Sequence, residues 1–198
     1  MRLFAALLPP AEAIGELARA VEPLKRLPGA DALRWSRTEN WHFTLAFYGE
    51  ADEHQADDLR ARLARAAARA EELHLRLGGG GRFGDRALWA ALAPDSARTA
   101  LTRLAAVASA AGRRAGLLGP GEERGYRPHL TVARTPRGAV VDLRPFVTEL
   151  DRFQGAAWTA RELVLMRSVL PDGGVHGEQP RYLPVGRWPL AGRAGRRA

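Results

Sequence analysis

The sequence predicts an α+β fold built on antiparallel sheets, and three observations carry this. Apolar residues recur at helical spacing in two long segments, 52–73 and 95–115. Short alternating or β-branched runs fall in pairs between these helices, unlike the strict strand–helix alternation of a parallel sheet. The order strand–helix–strand also recurs after each of two similar stretches, Trp41–Gly49 (WHFTLAFYG) and Arg127–Arg134 (RPHLTVAR), whose histidines lie 87 positions apart. That recurrence suggests a diverged internal duplication.

The elements follow in chain order. Arg2–Leu8 reads as a buried strand closed by Pro9-Pro10, and proline suits a helix start. Ala11–Val21 carries Ile14, Leu17, Ala18 and Val21 at helical spacing, and Pro23 and Pro28-Gly29 end it. Leu33–Ser36 is a short strand, and the first histidine strand runs to Gly49. Asp52–Leu73 is a helix with Leu59, Leu63, Ala66, Ala67 and Ala70 on one stripe. Leu73–Leu77 alternates as a strand, and Gly78–Gly81 reads as a flexible turn or lid. Arg86–Leu92 is a strand. Asp95–Ala115 is a helix capped by Asp95 or Ser96, with Leu101, Leu104, Ala105 and Ala108 inward. Gly116–Gly125 is a loop before the second histidine strand. Asp142–Leu150 is a short helix, Ala157–Leu170 contains a strand centred on Leu163–Val169, and Pro171–Gly177 is a turn. Arg181–Trp188 is the last strand. The expected organisation is one domain over 1–190 and a basic, disordered tail over 191–198.

Composition narrows the class. The chain has 198 residues and no cysteine, so there is no disulfide framework and no thiolate metal site. No apolar run is long enough to span a membrane. Met1–Leu8 is too short for a secretory signal and reads better as the first strand. A cytoplasmic location is expected. The net charge is +8, and only Lys25 among the 30 basic residues is a lysine. The excess favours a polyanionic partner such as nucleic acid.

The candidate chemistry lies in the two His-x-Thr stretches. Side chains on a strand alternate between faces. His42 and Thr44 therefore share one face, and Trp41, Phe43, Leu45 and Phe47 the other. His129 and Thr131 share a face, with Leu130 and Val132 opposite. Core packing gives no reason to repeat an imidazole beside a hydroxyl, because it buries polar groups twice. His54, His74 and His176 sit in polar settings and read as surface residues. Two imidazoles can supply a general base and a general acid near neutral pH, with a bell-shaped rate profile. Threonine hydroxyls can donate to phosphate oxygens beside each ring. This combination suits in-line displacement at a phosphodiester. A zinc site would need a third ligand, and neither motif contains an Asp or Glu.

The segments MRLFAALLPP, WHFTLAFYGE, YRPHLTVAR, ELVLMRSVL and RYLPVGRWPL, in this order along the whole chain, resemble the two-histidine phosphoesterases. More narrowly they resemble the RNA 2′,3′-cyclic phosphodiesterases, historically called 2′-5′ RNA ligases. The resemblance implies a bilobal α+β fold, two mainly antiparallel sheets flanked by helices, a pseudo-twofold and a cleft between lobes. It implies hydrolysis of an RNA or nucleotide 2′,3′-cyclic phosphate to a 2′-phosphate, with no metal, no cofactor and no membrane partner. His42 matches the general acid, His129 the general base, and Thr44 and Thr131 the phosphate-binding hydroxyls. Arg134 matches a frequent phosphate ligand. Strict alternation sends it to the face away from His129, so it needs a bulge or the strand's end to reach phosphate. Phe47, Tyr126 and Arg127 are candidates for stacking on a base, although alternation favours the core for Phe47. A monomer is expected. Two other readings stand beside this one: 2′-5′ ligation by the same site in reverse, and a non-catalytic RNA-binding module.

Overall fold

The computed structural model describes residues 1–118, 125–170 and 179–191. Nine strands and four helices appear among them: β1 (Arg2–Leu7), α1 (Ala11–Val21), β2 (Arg34–Trp35), β3 (Phe43–Glu50), α2 (Glu53–Ala67), β4 (Leu73–Phe83), β5 (Ala87–Leu92), α3 (Arg98–Arg114), β6 (Leu130–Arg134), α4 (Arg144–Leu150), β7 (Gln154–Ala160), β8 (Glu162–Val169) and β9 (Arg181–Pro189). Their pairings build two antiparallel sheets, ordered β3-β1-β8-β9 and β2-β6-β5-β4-β7. Each sheet holds one histidine strand, and in each that strand pairs with an apolar neighbour, β1 or β5. The α+β expectation holds.

The core runs continuously under both sheets. Leu3, Leu7, Phe43 and Leu45 of the first join Leu75, Leu88, Leu130 and Val132 of the second, with Leu59, Leu63, Leu101 and Leu104 from α2 and α3. Helix α2 starts where its sequence says it should. The Asp52 side chain accepts from the Gln55 amide at 2.7 Å, and the Gln55 side chain accepts from the Asp52 amide at 3.1 Å. This reciprocal cap satisfies two donors that a helix start leaves open. The helix ends at Ala67, short of the expected Leu73, because Leu73 already pairs with Ala160 in β4.

Three other expectations are corrected. The four glycines Gly78–Gly81 form no lid: β4 continues through them, with a shift of register around Gly78–Gly79. Glycine is required there because neighbouring side chains lie across the strand. A Cβ on Gly80 would come within 2.7 Å of Leu150, and one on Gly81 would overlap the indole of its cross-strand partner Trp89. We expect Gly81→Ala to lower stability by about 1–3 kcal/mol, read as a fall in thermal midpoint. Gly125→Ala, which would enter open space, should stay within about 0.5 kcal/mol. Next, neither Asp95 nor Ser96 caps α3. Asp95 pairs with Arg76 at 2.9 Å, and the Ser96 hydroxyl donates to the Arg76 carbonyl at 3.1 Å, so both tie β4 to the turn instead. Finally, the stretch expected to hold one strand around Leu163–Val169 holds β8 and most of a second strand, β7. The expected turn over Pro171–Gly177, His176 and nearly all of the 191–198 tail lie outside the described residues.

Candidate active site

The two histidines sit at the mouths of β3 and β6, held in the same way. The Asn40 carbonyl accepts from His42 Nδ1 at 2.7 Å, and the Arg127 carbonyl accepts from His129 Nδ1 at 2.7 Å. In each case the partner lies two residues upstream. A carbonyl can only accept, so each Nδ1 carries hydrogen and each neutral ring keeps its lone pair on Nε2. At His42 that lone pair receives the Thr44 hydroxyl at 3.0 Å.

Each ring is also boxed by aromatic side chains. Phe4 and Tyr182 lie 4.9 and 5.2 Å from His42, and Phe83 and Trp89 lie 4.7 and 6.1 Å from His129. Removing water from an imidazole disfavours its charged form. Burial accordingly pushes His42 down to about 4, against the pull of the Asn40 carbonyl, and the nearby charges of His129 and Arg134 add to the depression. Burial also lowers His129, with the Arg127 carbonyl opposing and Arg134 and Arg127 assisting. Both rings are therefore neutral at pH 7 in the free protein.

One cavity of about 400 Å³ takes in His42, Thr44, His129, Thr131, Arg134 and Phe47. It opens between the sheets, so the two motifs meet across one cleft. How Phe47 and Arg134 reach it was not visible in strict alternation. Along β3, Thr44 pairs with Ala6 and Phe47 with Phe4, so three residues on β3 span two on β1. Along β6, Thr131 pairs with Trp89 and Arg134 with Ala87, and again three span two. The extra residue in each strand is a bulge, which resets the parity. Phe47 is thereby corrected from the core face to the cleft face. It is 44% exposed, with the Arg2 guanidinium 4.9 Å above its ring. Tyr48 takes the inward position instead, donating from its hydroxyl to the Ala108 carbonyl of α3 at 3.1 Å. Arg134 turns to the cavity side by the same device, five residues after its histidine, as Phe47 is after His42.

Tyr126 and Arg127 do not line this cavity. Tyr126 packs against the core with its hydroxyl buried. The backbone of Arg127 serves His129, while its side chain is exposed.

Sequence reasoning missed much of the wall: Arg2, Arg34, Ser36, Asn40, Gln179 and Tyr182. Gln179 clips the two sheets together at the rim. Its amide donates to the Trp35 carbonyl at 2.7 Å while its carbonyl accepts from the Arg37 amide at 3.2 Å. The Asn40 amide donates to the Pro180 carbonyl at 3.1 Å. These partners lie at least 140 positions apart, so no local pattern announces them. Among the described residues, no three His, Asp or Glu side chains converge closely enough to hold a metal ion.

Comparison with known proteins places this geometry. Residues 7–89 match the family described as LigT like Phosphoesterase. An RNA 2′,3′-cyclic phosphodiesterase of Geobacillus stearothermophilus is 30% identical over 166 residues, which is 80% of this chain. The chain spans about half the length of that relative, 48%. Among solved structures, E. coli LigT in apo form is 26% identical with a TM-score of 0.71, covering 95% of this chain and 96% of its own. E. coli LigT complexed with 3′-AMP is 25% identical with a TM-score of 0.72, covering 96% and 97%. A protein of Thermus thermophilus is 26% identical with a TM-score of 0.71, covering 98% and 100%. Over residues 7–89 the chain matches the LigT-like phosphoesterase family, and over nearly its whole length it shares the fold of the LigT structures.

Proposed function

We propose that this protein hydrolyses the 2′,3′-cyclic phosphate of an RNA or nucleotide to a 2′-phosphate by paired-histidine acid–base catalysis, without a metal. The observation that carries the reading is the pair of Nε2 atoms, each fixed by a carbonyl bond on Nδ1, facing one cavity with Thr44, Thr131 and Arg134. His129 Nε2 takes a proton from water as its oxygen attacks phosphorus. The bond from phosphorus to the 3′ oxygen breaks, and His42, protonated on Nε2, gives its proton to that oxygen. Thr44 and Thr131 donate to the non-bridging oxygens, and Arg134 meets the charge gathered there. The product carries a 2′-phosphate and a 3′-hydroxyl, and proton exchange with water returns both rings to their starting state.

Phe47 is the stacking surface this cleft offers to a base. It is exposed, and Arg2 covers one part of its ring. The E. coli relative complexed with 3′-AMP supports a nucleotide-sized ligand for this fold. The test is incubation with an oligonucleotide ending in 2′,3′-cyclic phosphate, in the presence of a chelator. A 2′-phosphate product formed at full rate is expected. A 3′-phosphate product, or loss of turnover on chelation, would overturn the proposal. Adding an RNA with a 5′-hydroxyl end to the same assay reports ligation as a longer product.

A further inference from the structure

A second concave surface lies between α2 and α3, sharing no residue with the catalytic cavity. It measures about 450 Å³ and is walled by Arg62, Arg65 and Arg69 on one side and Arg103 and Arg114 on the other. Glu71 is its one carboxylate among the described residues. The floor is small and apolar, with Ala66, Ala70 and the 47%-exposed Val107. The two helices run antiparallel, since the Gln55 amide at the start of α2 donates to the Gly116 carbonyl past the end of α3. From Arg103 to Arg114 the helical rise makes a track about 16 Å long. The track lies on the far side of β3 from the cleft, because Tyr48 points to α3 while its neighbour Phe47 points into the cavity.

Among the described residues most of the charge on this track is unpaired. Arg62 pairs with Asp58 at 2.8 Å, but Arg65, Arg69, Arg103 and Arg114 have no carboxylate partner among the described residues. Four such guanidinium groups along one groove repel each other and favour a run of anions. The sequence after Ala191 holds no acidic side chain. The Ala191 amide donates to the Ala67 carbonyl at 3.3 Å, beside the groove, but the sequence that follows brings Arg193, Arg196 and Arg197.

We infer that the α2/α3 groove binds the phosphate backbone of single-stranded RNA, as a second contact remote from the catalytic cleft. Arginine forks match phosphate oxygens, and the alanine floor admits the sugar edge at close range. Among the described residues no aromatic ring lines the groove, so base stacking contributes nothing and the contact is independent of sequence. The choice of RNA over other polyanions rests on the function proposed for the cleft.

The test uses the full chain and a labelled single-stranded RNA of about 20 nucleotides with a 3′-hydroxyl end, long enough to occupy a track of this length. Its affinity is followed by fluorescence anisotropy across a salt series. The variant Arg65→Ala/Arg69→Ala/Arg103→Ala should weaken binding about tenfold or more. It should also flatten the plot of log affinity against log salt by about 2, since each single-strand phosphate contact contributes about 0.7. Turnover of a mononucleotide 2′,3′-cyclic phosphate, too small to reach the groove, should not change. An unchanged RNA affinity and salt slope would overturn the inference. So would binding to phosphatidylglycerol vesicles that depends on these arginines while RNA binding does not. Should the triple variant lose its helical circular dichroism, Arg103→Ala/Arg114→Ala decides on the same readouts. Absence of cyclic-phosphate turnover in the unaltered protein would strike the proposed activity instead, leaving the anisotropy result to judge the groove.

Discussion

Replacing His42 or His129 should cut hydrolysis of a 2′,3′-cyclic phosphate by about 10²–10⁴-fold, the usual worth of one positioned acid or base. In the proposed mechanism His42→Ala removes the donor to the leaving oxygen, and His129→Ala removes the acceptor for the water proton. Both groups act in one displacement, so the double variant should be little worse than either single one. The fold should survive. The His42 ring packs against Phe4 and Tyr182, while the buried network beneath consists of Phe43, Leu45 and Tyr48. Circular dichroism and the thermal midpoint check this. A variant retaining near-normal turnover at either position would end the acid–base assignment.

The second large effect is on pH. The imidazoles of the free protein both titrate below the ordinary histidine value, with His42 at about 4. The reactive form needs one proton shared between the two rings in the required order. Above both pKa values that form becomes rarer by about tenfold per pH unit. We therefore expect kcat/KM, which reports the free enzyme, to fall steadily from about pH 6.5 upward. The kcat profile should keep its alkaline limb at higher pH, because a bound phosphate anion favours imidazolium. A kcat/KM that is flat or rising between about pH 6 and 8 would show that the burial argument fails. Stability follows the same linkage. Below the ordinary value of 6.5 the unfolded chain binds protons on these rings more readily than the folded one. Stability is thus complete above that value and is lost as pH falls through about 4. The loss from His42 is about 3 kcal/mol, and inorganic phosphate in the cleft should offset part of it.

Local pattern revealed the two His-x-Thr pairs because strand geometry is local. A His-x-Thr spacing puts ring and hydroxyl on one face whatever the rest of the chain does, and the repetition of that spacing pointed to one shared task. Arg134 and Phe47 were ambiguous for an equally physical reason. Their orientation depends on a bulge, and a bulge exists only relative to the partner strand that it mismatches. The glycine run misled because glycine marks close approach as well as flexibility, and what approaches here, Leu150 and Trp89, comes from other elements.

The sequence alone determined the α+β class, most element positions and the two side-chain pairs, all of which follow from periodicities of a few residues. Only the tertiary structure decided that these pairs face one cavity, which tautomer each ring adopts, how far burial depresses its basicity, and that two arginine-bearing helices leave a groove behind the sheet. Those properties depend on what lies within a few ångströms in space, and here the neighbours come from chain segments up to about 140 residues away.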